Sequence, residues 1–397
     1  MPERIITDIK IKCSGCGACE ASCPRQCIRF IKDELGFSVP MINDKDCIHC
    51  GICLRVCPQQ NKREFSQTNS RAFFCQSKNK EELKQSSSGG VFSVLSRWII
   101  SKGGKVWGVA VNTNGDPEFR CVENIKDLWT LRGSKYVEVI SPLNHALIKN
   151  QLDKGELIMV CGLPCQIRGL HNFLGQHIYN NLILVDLLCY GIQSPLMWKL
   201  YLDSINFQNR PIKNIFMRDK RFSWYDYSMK IEYVDGTIYK KLRWYDNWLL
   251  SYSRSVFNRE SCSCCQSKIF PRSSDFTIGD FWGIDNYANV KLHIRKKRGI
   301  SLIYTHSHTA YQILQDIKKD MRIEEIDSDY VLQMEKDHSK SVPMNEHREN
   351  FINTAITESF VMARKKFLTG GLFFRFKKRK PLYIKMMKTI INRMLHI

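Results

Sequence analysis

The feature that most limits what this chain can become is a doubled cysteine run. Cys13-Ser-Gly-Cys16-Gly-Ala-Cys19-Glu-Ala-Ser-Cys23-Pro24 recurs as Cys47-Ile-His-Cys50-Gly-Ile-Cys53-Leu-Arg-Val-Cys57-Pro58. Both copies read C-x2-C-x2-C-x3-C-P, the ligand run for two [4Fe–4S] clusters, in which three close thiolates wrap one cubane and the fourth serves the other. The pattern assigns Cys13, Cys16, Cys19 and Cys57 to one cluster and Cys47, Cys50, Cys53 and Cys23 to its partner. Gly15, Gly17 and Gly51 keep the loops bare, so backbone amides can face sulfide, and Pro24 and Pro58 turn the chain after the fourth ligand. Zinc is the competing occupant, but zinc sites rarely use three cysteines at this spacing, and the doubling counts further against it. Cys27 falls outside the pattern and reads as a small packed hydrophobe. His49 reads as a solvated loop residue, with hydrogen bonding to a cluster as the alternative.

Seventeen cysteines without an apolar leader segment point to a reducing, cytoplasmic setting and to metal or redox chemistry rather than a disulfide framework. No run of about 18 apolar residues suggests a membrane span. Sixty Lys plus Arg against 39 Asp plus Glu give a formal charge of +21, which at first suggests nucleic acid. Eleven of the basic residues lie after Val361, however, where the chain has no acid at all. Each cubane with its four thiolates would also carry about −2. No nucleic-acid partner is expected.

Beyond a polar linker from Gln59 to Ser70 the texture changes. Ser88-Gly89-Gly90 precedes Val91, Val94, Leu95, Trp98 and Ile99 at helical spacing. Lys105 to Val111 reads as a strand. Gly155 to Val160 is a second, followed by a helix from about Pro164 to Gly175, and Asn181 to Leu188 is a third; together these last three make a βαβ unit. Val234 to Thr237 is a hairpin turn, so antiparallel pairing is mixed in. A further α/β stretch runs from Asp275 to Asp320.

Cys165, at a helix start behind Pro164, and Cys189, after a strand, sit where open α/β sheets collect functional residues. Cys262 and Cys265 add a C-x2-C pair. These four thiolates could hold a third [4Fe–4S] cluster; the competing reading is core thiols with zinc or nothing on the pair. Ser88-Gly89-Gly90 is either a phosphate cradle or a simple helix cap, and Gly133-Ser134-Lys135-Tyr136 offers another small-residue turn with a cation.

Taken in order, these pieces resemble the family of coenzyme F-420 hydrogenase/dehydrogenase beta subunits. The landmarks are the double cysteine run, Ser87 to Val91, Gly133 to Tyr136, Gly162-Leu163-Pro164-Cys165-Gln166, Asp186 to Gly191, Cys262 to Cys265, and Ser274 to Asp280. The resemblance implies FAD beside the third cluster on Cys165, Cys189, Cys262 and Cys265. It also implies flavin contacts from Ser88, Gly89, Gly90, Gly133, Ser134, Lys135 and Tyr136. Tyr190 stands where relatives commonly carry histidine, and with Lys135 and Asp280 it is a candidate for proton delivery or flavin tuning. Cys161 and Cys264 leave the ligand choice among six thiols open. The family includes bacterial members linked to polysaccharide synthesis, so its name does not fix the substrate or require coenzyme F-420.

The expected architecture is α+β. It comprises a ferredoxin-like 2[4Fe–4S] domain over residues 1–65, an α/β flavin and iron–sulfur domain with a mixed sheet over residues 70–335, and a helical basic C-terminal tail over residues 336–397. Phe360 to Ile397 mixes apolar and basic residues, as in helices that pack on a protein body or lie on a membrane surface. The expected function is an iron–sulfur flavoprotein oxidoreductase that exchanges electrons with a ferredoxin-type carrier. The alternative is an electron-transfer subunit that needs a partner redox subunit.

Overall fold

The computed structural model describes residues 4–5, 13–60, 70–175, 177, 179–206, 208–287, 294–334 and 339–368. The N-terminal region is built twice over. Helices Ala18–Ala21 and Ile52–Val56 each follow a glycine in the left-handed conformation, Gly17 at φ 85° and Gly51 at φ 71°, a backbone state open to glycine at little cost. Beside them lies a three-stranded antiparallel sheet of β1 (Arg4–Ile5), β2 (Ile28–Lys32) and β3 (Ser38–Ile42), in the order β1-β3-β2.

The second region centres on an eight-stranded sheet. Its strands are β4 (Arg71–Ser77), β5 (Lys105–Val111), β6 (Pro117–Val122), β7 (Ile158–Gly162), β8 (Leu182–Leu187), β12 (Phe276–Asp280), β13 (Ser301–Thr305) and β14 (Met321–Ile326). The order is β14-β4-β13-β12-β8-β7-β5-β6. The middle four, β12, β8, β7 and β5, are parallel, and the flanks are antiparallel. Residues of β7 are buried throughout, as expected where helices cover both faces of a parallel sheet. The helix Pro164–Leu174 starts with proline at its first position and ends at Gly175, the proline supplying a preset φ where no amide partner is needed.

A separate antiparallel sheet, β9 (Ile212–Asp219), β10 (Ser228–Tyr233) and β11 (Ile238–Leu242), is joined at the Val234–Thr237 turn. It shares an aromatic core of Trp198, Tyr201, Trp248, Phe257, Phe351 and Phe360 with the helices Pro195–Ile205, Asn247–Tyr252, Arg348–Thr357 and Phe360–Phe367. Residues 348–368, expected in the tail, thus supply buried side chains to the body. The Lys377 to Lys380 block lies outside the described residues. No helix among the described residues is long and apolar enough to cross a membrane.

Candidate functional site: three groups of cysteines

Cys13, Cys16, Cys19 and Cys57 lie near one another. Burial pushes the Cys16 thiol up to about 12, with repulsion from Cys57 and Cys13 adding to it. Cys19 is likewise raised by burial, then by Cys16, Cys13 and Cys57. Cys57, distant in sequence from the other three, is therefore in their company. The Gly15 amide donates to Cys13 Sγ at 3.2 Å. In the second set, Cys53 is raised by burial and then by Cys47 and Cys50. Cys23 and Cys47 share an apolar cluster with Cys53, Cys19 and Cys27.

The third set assembles from three distant places. The register pairs Cys161 with Val185 and Gly162 with Asp186, so β7 and β8 leave the sheet at the same edge and deliver Cys165 and Cys189 together. The chain then returns through an antiparallel bridge between Gln193 and Asn258. Cys189 and Cys262 lie four positions from that bridge on the two paired segments, which brings them face to face. Burial holds the Cys165 thiol far above its ordinary value, and Cys265, Cys189, Cys16 and Cys262 raise it further. Burial and then Cys189 push Cys262 up to about 12. Amides support the sulfurs: Gly191 donates to Cys189 Sγ at 3.4 Å and Ile192 to Cys262 Sγ at 3.5 Å.

Of the six thiols left open, two stand apart. Cys161 packs in the sheet core, pushed up to about 12 by burial, and Cys264 is exposed, its sulfur facing the Ser261 carbonyl. Among the described residues no three His, Cys, Asp or Glu side chains converge closely enough for a single metal ion.

Sequence reasoning missed the charges around the third set. Arg168, Arg259, Lys268 and Arg272 are all buried. Arg168 faces Cys265, Arg259 faces Cys262, and Lys268 and Arg272 face Cys189. Glu138 pairs with Arg259 at 2.5 Å and Asp186 with Arg272 at 3.5 Å. Buried positive charge is stable only beside buried negative charge, and the thiols of the third set are among the groups these cations face. Single cations scattered through a sequence carry no spacing signal, which is why they were not found.

The first and third sets adjoin. Helix Pro164–Leu174 packs its backbone on the first set: a Cβ placed on Gly169 would lie 2.9 Å from Cys16 Sγ. Arg259 clasps the two regions as well, donating to the carbonyls of Cys13 and Ser38 at 2.6 and 2.7 Å, while Glu138 accepts from the Ser38 amide at 2.6 Å.

The residues expected to hold a flavin fall in one area with mixed roles. Ser134 donates through its amide and hydroxyl to Ser87 Oγ at 2.9 and 3.0 Å, joining the two small-residue loops. Ser88 Oγ and the Gly89 amide are already engaged, by the Ile300 carbonyl and by Ser301 Oγ. A Cβ on Gly89 would overlap the Cys75 carbonyl and the Ser301 amide, so Gly89 serves close packing on the sheet rather than a free-amide cradle. Gly90 starts the helix Val91–Ser101 with no side chain capping its first amides, and Gly133 has open space about it. Tyr136 stacks on Tyr252 with centroids 4.0 Å apart. Tyr252 lies deep beside Cys189 and Arg218, yet keeps accessible surface. The start of helix Val91–Ser101, the open Gly133 and the stacked Tyr136–Tyr252 pair thus lie in the part of the molecule that also holds Cys189.

Of the three candidates for proton delivery, Lys135 donates to the carbonyls of Thr130, Leu131 and Arg132 at 3.3, 3.0 and 2.8 Å, closing the short helix Leu128–Leu131. Burial lowers it to about 7. Asp280 is held by Arg218 and by Trp224 Nε1. Tyr190 follows Cys189, with the Lys268 ammonium 5.5 Å from its ring centre.

Comparison with known proteins places this site in a class. Residues 12–61 match the family model described as "4Fe-4S dicluster domain". Residues 155–330 match the C-terminal model of "Coenzyme F420 hydrogenase/dehydrogenase, beta subunit" and belong to that family, behind the dicluster domain. Among curated relatives, one subunit of the F(420)H(2) dehydrogenase of Methanosarcina mazei is 29% identical over 201 residues, covering 48% of this chain and 56% of that protein. The coenzyme F420-dependent sulfite reductase of Methanocaldococcus jannaschii is 31% identical over 164 residues, covering 40% and 24%. The matches therefore span about half or less of those relatives' lengths. A chain of the F420-reducing [NiFe] hydrogenase complex from Methanosarcina barkeri, solved in a xenon-derivatization study, superposes with a TM-score of 0.45 at 14% identity over 72% of this chain and 92% of that one, a likeness too distant to carry an argument. These names concern coenzyme F420 redox chemistry and dehydrogenase subunits. They favour the subunit alternative over a free-standing enzyme and give no support to a role in polysaccharide synthesis.

Proposed function

We propose that this chain is an iron–sulfur electron-transfer subunit that passes electrons between a partner redox protein and a flavin. The observation that carries the proposal is the adjacency of Cys16, in the first set, to Cys165, in the third. Cys13, Cys16, Cys19 and Cys57, then Cys47, Cys50, Cys53 and Cys23, hold the two N-terminal clusters. Cys165, Cys189, Cys262 and Cys265 hold the third, with Arg168, Arg259, Lys268 and Arg272 compensating its charge. The first amides of helix Val91–Ser101 and the Ser87–Ser134 junction hold FAD, with Gly133, Tyr136 and Tyr252 beside it. A bound flavin converts between one- and two-electron transfer.

Ser88, Gly89 and Lys135 position these loops instead of touching the cofactor. Asp280 fixes Arg218 near Tyr136 and Tyr252. Tyr190, next in the chain after Cys189, is the candidate proton donor at the third set. The subunit assignment rests on the relatives' names; an autonomous oxidoreductase with the same cofactors is the second reading, and copurification of a stoichiometric partner from native lysate separates the two. The decisive assay is iron, sulfide and flavin on one anaerobically reconstituted sample. About twelve iron and one flavin per chain are expected. About eight iron and no flavin would remove the third cluster and the flavin and leave only the N-terminal pair.

A further inference from the structure

Asp186, the partner of Arg272, is also the inner end of a line of side chains that the cysteine sets leave unused. Parallel pairing puts Asp186 on β8 opposite Thr277 on β12. Antiparallel pairing carries β13 alongside β12, so His306 emerges one residue past the Thr305–Phe276 pair. Thr277 Oγ1 donates to Asp186 Oδ1 at 2.6 Å. His306 Nε2 lies 2.8 Å from Thr277 Oγ1, and Ser70 Oγ lies 2.8 Å from His306 Nδ1. Asp186, Thr277 and His306 are buried, whereas Ser70 is only half-buried.

The bonds all point one way. Thr277 has a single hydroxyl hydrogen, and the Asp186 carboxylate takes it. Thr277 therefore accepts from His306, which assigns the imidazole hydrogen to Nε2 and leaves Nδ1 to accept from the Ser70 hydroxyl. Phe270 and Tyr304 flank the ring, with centroids 5.7 and 6.2 Å away. Burial, then Arg272, disfavours a charged His306, so the ring is suited to pass a proton on rather than to keep it. Asp275, whose carbonyl accepts the His306 amide at 2.8 Å, spends its carboxylate on the Leu184 amide and the Ser307 hydroxyl at 2.8 and 2.6 Å.

At the inner end Asp186 faces Arg272 at 3.5 Å and the Cys161 thiol. Arg272 also faces Cys189, so one buried cation is shared between the carboxylate and the third set. Burial raises the Asp186 carboxyl above the usual range, against the opposing pull of Arg272 and Thr277. Negative charge added to the third set draws on the same cation and leaves Asp186 less compensated. We propose that Ser70, His306 and Thr277 form a proton wire that delivers one proton to Asp186 for each electron reaching the third set; this rests on the reading that Cys165, Cys189, Cys262 and Cys265 hold a cubane. The step balances, with the electron coming from the partner redox protein. Ser70 takes a proton from solvent and gives its own to His306 Nδ1, His306 gives its Nε2 hydrogen to Thr277, and Thr277 gives its hydroxyl hydrogen to Asp186. The carboxylate becomes a carboxylic acid and the imidazole ends as the Nδ1–H tautomer. Reoxidation runs the same moves backward.

The test uses the full chain, reconstituted anaerobically, as wild type, Asp186→Asn, Thr277→Val and His306→Gln. Valine keeps the branched shape of threonine and lacks the hydroxyl; glutamine cuts the line at a second link. The midpoint potential of the third set is followed across neutral pH by EPR-monitored redox titration. In the wild type it is expected to fall by about 59 mV per pH unit, one tenfold step in proton concentration per electron. Asp186→Asn should be flat. Thr277→Val and His306→Gln should keep the slope, because a wire sets a rate and not an equilibrium. Their third-set signal, trapped by freezing after rapid mixing with dithionite, should form about a hundredfold more slowly. A wild-type potential independent of pH, a slope that survives in Asp186→Asn, or unslowed reduction in both wire variants would overturn the proposal. A wild type with N-terminal EPR signals and no third signal would refute the cubane reading and take the proposal with it.

Discussion

The N-terminal cysteines and the third set have the same chemistry and opposite origins. Each N-terminal triad comes from one short stretch of chain, and only the fourth ligand crosses between repeats. The third set needs a parallel strand pair, a helix start and a returning antiparallel bridge before its sulfurs meet. A contiguous site can form once its loop closes around the metal. A dispersed one exists only after the body has folded, and it needs buried countercharge from equally dispersed residues.

The sharpest way to break this comparison is to delete one dispersed ligand. Cys165→Ala is expected to lose about four iron per chain, a third of the total, while the reduced N-terminal EPR signals persist. Loss of all iron would show that the two regions are not separable. The next largest effect falls on the clasp between them. Arg259 and Glu138 are 5% and 6% exposed, and removing one partner strands a buried charge. Arg259→Ala should therefore destabilise the apo chain by about 3–5 kcal/mol, read by urea denaturation, with Arg259→Lys recovering part of it.

A smaller perturbation sharpens the contact itself. Gly169→Ala pushes a methyl against Cys16 Sγ, at about 1–3 kcal/mol by overpacking. It should also weaken the magnetic interaction between the reduced first and third clusters, and unchanged EPR coupling would argue against their adjacency.

The effect smallest at neutral pH is a pH slope that opens only on acidification. His306 is lowered to about 3, by burial first and then by Arg272, and its ring nitrogens meet Ser70 and Thr277. The unfolded chain takes up that proton near pH 6.5. The contribution of a neutral His306 is thus complete above about pH 6.5 and is lost as the pH falls toward 3. The slope is about 1.4 kcal/mol per pH unit inside that window. His306→Gln should flatten this part of the stability profile, and an unchanged slope would refute the assignment.

Much of the local structure was legible. Lys105–Val111 forms a strand as expected, the helix begins at Pro164, and the hairpin turns at Val234 to Thr237. Each carries a short-range signal, such as an apolar run, a proline at a helix start or an Asp-Gly turn. By contrast β4 (Arg71–Ser77) was not anticipated, and it pairs with β13 and β14 from far along the chain. The stacked Tyr136 and Tyr252 were likewise invisible as a pair, since nothing in either neighbourhood points to the other.

The sequence by itself set out the two N-terminal cysteine runs of the dicluster domain, because spacing within a few residues is a covalent fact that any metal geometry must meet. It also marked Cys165, Cys189, Cys262 and Cys265 as the right kinds of residue near strand ends. Only the tertiary structure decided that these four stand together, that Cys161 and Cys264 stand apart, and that the first set touches the third. Those outcomes depend on strand register and on a bridge between distant segments, and such choices are made by packing across the whole molecule rather than by any local pattern of residues.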